Sequence, residues 1–138
     1  MKYITNTDLK NIIRDDMLTS SIQGQTEMLD ELETNAIGKV KAYLFGLYKV
    51  DLIFDGETVL RNPLLVEIIA KLVTYAAVRR NAARKVPADY SDLEEQAYSL
   101  LQRVADGKMT LIDLPVVTNE DGTEKLMWGN SKKTENYV

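Results

Sequence analysis

Apolar and polar positions along this chain recur every three to four residues over most of its length, which predicts helices in series. Leu9, Ile12, Ile13 and Met17 share one face behind Thr5 and Thr7, either of which can cap, and Asp8 sits where the helix dipole favours a carboxylate. A first helix ending near Met17 or Leu18 follows, then a loop over residues 19–25, where small polar residues and Gly24 dominate. A second, longer helix is expected from about Thr26 to Tyr48, with Leu29, Leu32, Ala36, Val40, Tyr43, Leu44 and Leu47 in one stripe. Gly38 and Gly46 fall inside it and mark either a close neighbour or fraying.

Residues 50–63 break the pattern. Val50, Leu52 and Phe54 alternate before Asp55–Gly56, which fits a short extended segment, but an irregular loop pinned by apolar side chains is favoured. Asn62 and Pro63 then suit the N-cap and first turn of a third helix. From Leu64 to Val78 this helix is apolar on most sides, with Glu67, Lys71 and Thr74 as a narrow polar strip. A membrane span needs ~20 consecutive apolar residues, and this run is shorter and carries two charges. It reads as a core helix.

Pro87 ends that element, and Ser91 to Glu94 have the pattern of a capping box for a fourth helix. Leu93, Ala97, Leu100, Leu101 and Val104 continue it to Gly107, a natural C′ residue. The short connection predicts antiparallel packing of the third and fourth helices. Beyond Gly107 two short apolar runs flank Asp121–Gly122 and resemble a hairpin, with Pro115 confining the first run to an edge. The expected fold is therefore mainly α: a small antiparallel bundle of about four helices over residues 1–107, with residues 108–138 as an extended C-terminal tail or short β-hairpin.

Composition narrows function more than fold. The 138 residues lack both cysteine and histidine, which removes disulfides, thiolate metal sites and the commonest general base. The carboxylates lack the spacing of a catalytic or metal-binding set, so no catalytic residue, metal or cofactor is expected, and the chain reads as a non-enzyme. A net charge of −4 disfavours broad coating of nucleic acid. The basic residues Arg79, Arg80, Arg84 and Lys85 crowd the end of the third helix. There they either complement its dipole or meet an acidic partner surface or phosphate backbone. Met127 and Trp128 on the polar tail, with Tyr137 near its end, are candidate anchors for another subunit.

Several stretches carry a family likeness. They are the opening "TNTDL", the aromatic "AYLFGLY", the helix "NPLLVEIIAKLVTYAAVRR" and the exit "DYSDLEEQAYSLLQRVADGKMTL". Together they resemble the small head–tail connector (adaptor) proteins of tailed bacteriophages, of the type in Mu-like phages and related siphophages. The likeness spans about positions 3 to 115. It departs at "KVDLIFDGETVL", where family members often have a shorter, proline-containing connection, and in a longer tail. The resemblance implies a structural subunit in a homo-oligomeric ring, twelve copies in the virion, sited beneath the portal protein at the head–tail junction after assembly in the host cytoplasm. It implies a tail-completion (stopper) protein as a further partner, double-stranded DNA passing through the channel without specific binding, and no membrane. An acidic lumen would let a duplex pass, and Asp30, Glu31 and Glu33 are candidates for it, with solvated helix-start carboxylates as the plainer alternative. The rival reading is a small helical nucleic-acid-binding or regulatory protein that uses the basic end of the third helix.

Overall fold

Thr5 opens α1 (Asn6–Lys10): its hydroxyl accepts from the Asp8 N–H at 3.3 Å while the Asp8 carboxylate accepts from the Thr5 N–H at 2.7 Å. The structure, a computed structural model, describes residues 1–81 and 88–117. The first helix is short because the N–H groups of Ile12 and Ile13 both turn back onto the Leu9 carbonyl. A second helix, α2 (Asp15–Ile22), follows. The single helix expected from Thr5 to Met17 or Leu18 is therefore two. Burial explains the break: Leu9, Ile13, Leu18 and Ile22 are all buried. The step of five from Ile13 to Leu18 would swing Leu18 off the shared face of an unbroken helix. Thr19 and Ser21 are accommodated by donating their hydroxyls to the carbonyls of Asp15 and Met17. The expected loop begins only at Gln23 and Gly24, both at positive φ, where the Gly24 N–H bonds Thr19 O.

Helix α3 (Glu27–Leu44) starts where expected and buries Leu29, Ala36, Val40 and Leu44. It stops before Tyr48 because Phe45 (φ −57°, ψ 130°) and Gly46 (φ 94°) form a tight turn that returns the Leu47 N–H to Leu44 O at 3.0 Å. These angles are those of a type II turn, whose third residue favours glycine. Gly38, by contrast, faces open space, so no neighbour approaches closely there.

Residues 50–54 are neither loop nor strand but one helical turn, α4 (Val50–Phe54). Val50, Ile53 and Phe54 are buried at i, i+3 and i+4, while Leu52 points outward. The alternation of Val50, Leu52 and Phe54 in sequence therefore misled. Helix α5 (Pro63–Asn81) runs through the middle of the body against α1, α2, α3 and α6 (Ala88–Ala105). Leu65, Ile68, Ile69, Leu72, Val73 and Ala77 are buried. The expected polar strip narrows to Glu67 and Lys71, since Thr74 is fully buried and its hydroxyl has no partner among the described residues.

Helix α6 begins before the Ser91 capping box, which is not used: Ser91 lies inside the helix and donates its hydroxyl to Ala88 O. Its exit is as expected. Gly107 (φ 79°) takes the C′ position, with its N–H on Val104 O and the Lys108 N–H on Arg103 O. The helices make a small antiparallel bundle around one core.

Residues 108–117 are irregular, with a turn at Ile112–Asp113, but not separate from that core. Leu111 and Leu114 are buried in it, the Leu111 N–H bonds the Tyr48 hydroxyl at 2.9 Å, and Tyr48 and Val116 form an isolated antiparallel bridge. Pro115 contributes its carbonyl to the Lys49 N–H. Packing therefore places no boundary at residue 107. The expected hairpin around Asp121–Gly122 lies outside the described residues. Among the described residues no helix is long and apolar enough to cross a membrane.

Candidate functional site

Two ends of α5 differ in how their polar groups are satisfied. At its start Asn62 is a junction. Its Oδ1 accepts from the N–H groups of Leu64 (3.0 Å) and Leu65 (3.3 Å), its Nδ2 donates to Ile112 O, and its own N–H donates to the Tyr3 hydroxyl. The Tyr3 hydroxyl passes its hydrogen on to Leu60 O at 2.9 Å. Three separate stretches of chain are thus tied at one residue, by its side chain and its backbone N–H together. Burial pushes the phenols of Tyr3 and Tyr48 above their ordinary range, opposed by the backbone N–H that each accepts from Asn62 and Leu111 respectively.

Glu33 belongs to this tied end and not to the surface. It is 2% exposed, and its carboxylate accepts from three consecutive backbone N–H groups: Lys2 at 2.8 Å, Tyr3 at 3.0 Å and Ile4 at 2.9 Å. The candidate acidic channel surface therefore loses Glu33, because its carboxylate is buried and turned onto three backbone donors and is not presented at the surface. Asp30 and Glu31 remain exposed, Asp30 bonding the Met1 ammonium, and Glu27 joins them on the same part of α3.

The other end of α5 is open. Arg79 and Arg80 are exposed, and with Lys39 from α3 and Glu94 from α6 they edge a cleft of about 310 Å³ walled by Leu32 and Tyr75. Among the described residues none of these three cations has an ion-pair partner, nor do Lys49, Arg103 and Lys108, whereas Lys2, Lys10, Lys41, Arg61 and Lys71 do. The arginines thus sit at the helix terminus, as expected for dipole partners, but also line a concave, net-positive surface that could hold carboxylates or phosphates. Lys39 was not singled out from sequence, because it reaches the cleft from another helix and its spacing carries no signal. Arg84, Lys85, Met127, Trp128 and Tyr137 lie outside the described residues.

Two large apolar side chains are strongly exposed. Phe45 occupies the outer corner of the turn with Gly46 and is 80% exposed, and Ile112 is 71% exposed. The Val117 N–H bonds Leu47 O, two residues beyond that phenylalanine. "LFGLY" did hold the signal for it, since an aromatic before a turn glycine sits where the side chain projects. Among the described residues no group of three or more acidic, histidine or cysteine side chains is placed to hold a metal. The chain matches no protein-family model and no curated protein.

Proposed function

We propose that this chain is a structural head–tail connector subunit: copies close into a ring under a phage portal, extend the DNA channel and receive a tail-completion protein, with no chemistry of their own. The observation that carries this reading is Phe45, a large apolar side chain held out by a glycine turn. A fold that buries its other phenylalanine, Phe54, to 1% exposure has no internal use for this one, and apolar residues on rigid turns are natural anchors for another protein. A connector needs a self-sufficient body plus surfaces that act only on assembly. The helical bundle offers such a body, and the Phe45 corner and the basic cleft offer such surfaces. In this role the protein resides at the head–tail junction of the virion and meets the host cytoplasm only during assembly.

Mixing the chain with the portal protein of the genome that encodes it, followed by electron microscopy, tests the reading. A collar of copies on the portal is expected, and Phe45→Ser should thin or abolish it while leaving the helical circular dichroism unchanged. No association with the portal would overturn it. The basic cleft favours one second reading, nucleic-acid binding. Tight duplex binding that collapses as salt rises would select that reading instead.

A further inference from the structure

We propose that the Lys39–Arg79–Arg80 cleft is one half of a head-to-tail contact between copies of this chain, and that its occupant is the Glu27–Asp30–Glu31 stripe of a second copy. The proposal rests on the connector reading and names the contact that would build the ring. The cleft brings together three cations from two helices around a single carboxylate, Glu94. The stripe has the opposite character: Glu27, Asp30 and Glu31 stand at i, i+3 and i+4, so they are neighbours on the outer surface of α3. Among the described residues Glu27 and Glu31 have no cationic partner.

Lys39 lies eight to twelve residues along α3 from the stripe, about 12–18 Å of helix rise, and roughly 80° to 180° around it from Glu31, Glu27 and Asp30. The two patches cannot neutralise each other within one copy. Each copy offers its stripe to one neighbour and its cleft to the other, which is the heterologous contact that closes a ring. Leu32 and Tyr75 wall the cleft with low-polarity surface, which strengthens attraction between charges seated there.

A duplex suits the cleft less well. A long polyanion would run beyond the cleft over a chain of net charge −4, whereas three carboxylates on a short helical stripe reach only the cleft, where three cations outweigh Glu94.

Charge exchange on the full-length chain tests this. Arg79→Glu with Arg80→Glu reverses the cleft, and Glu27→Lys with Glu31→Lys reverses the stripe. Each variant alone should self-associate at least roughly tenfold more weakly in sedimentation velocity at low salt. An equimolar mixture should regain wild-type association, because each variant's altered patch then meets the other's. Carbodiimide coupling of mixed light and ¹⁵N-labelled wild type should yield an amide between Lys39 of one copy and Glu27, Asp30 or Glu31 of another. Circular dichroism checks that the variants are folded, and Lys39→Glu alone is the milder version should the arginine pair unfold. Association unchanged by either reversal, a folded mixture that fails to recover, or no copy-to-copy contact at all would overturn the proposal. So would duplex binding by the wild type that the cleft reversal removes. A portal collar indifferent to both reversals sinks this contact and leaves the connector reading standing. Charge-exchanged self-association without any portal binding does the reverse.

Discussion

The two ends of α5, about 27 Å apart along its axis, handle polar groups in opposite ways. At the Asn62 end every side chain that matters is matched: Glu33 holds three N–H groups, Asn62 joins three segments, and the Tyr3 and Tyr48 hydroxyls are both engaged. At the Arg79–Arg80 end, cations stand in solvent around a cleft with one carboxylate between them. Buried polar groups left without partners are costly, so the first end can exist only if its partners are internal. Exposed charges cost little to leave unpaired, so the second end can wait for an external one. One end specifies the fold and the other is available for encounter.

That contrast can be broken most forcefully at Glu33. Glu33→Ala orphans three consecutive backbone donors and is expected to cost roughly 3 kcal/mol in urea denaturation, a loss near zero being incompatible with the described geometry. Asn62→Ala should come next at about 2 kcal/mol, removing an N-cap and the bond to the Ile112 carbonyl together.

The tyrosines give the same end a pH signature. Their phenols are raised above the ordinary value of 10.0, so the folded chain holds those protons more tightly than the unfolded chain. Their contribution is complete below pH 10 and is lost as pH climbs from there through the folded values. Urea midpoints measured across that range should fall, and Tyr3→Phe with Tyr48→Phe should flatten the decline. The smallest effect belongs to the open end: Arg79→Gln with Arg80→Gln should change stability by less than about 1 kcal/mol in the same assay.

Much of the bundle was legible because its helices announce themselves locally. The Asn62–Pro63 start of α5, the Gly107 exit of α6 and the stripe of α3 depend on residues three or four apart. Sequence reasoning failed where distant residues decide. The run 50–54 alternates like a strand, yet folds as a helical turn so that Val50, Ile53 and Phe54 all reach the core. Ser91 has capping chemistry but no helix start to cap, since α6 opens three residues earlier. Glu33 looked like one more solvated acid among Asp30 and Glu31. Its three donors lie 29 to 31 residues upstream, beyond any helical periodicity. Of the candidate site, Arg79 and Arg80 were visible as a local cluster, whereas the cleft they edge needs Lys39 and Glu94 from two other helices.

The Glu33 clamp also orders events in time. Residues 2–4 are made before α3, yet their backbone cannot settle until α3 has followed, and the Tyr3 ring waits further for Leu60 and Asn62. Residues 2–4 therefore lock later than their place in the sequence, through a long-range closure. Until then Tyr3 and Ile4, 1% exposed in the finished protein, are sticky surface on a nascent polypeptide.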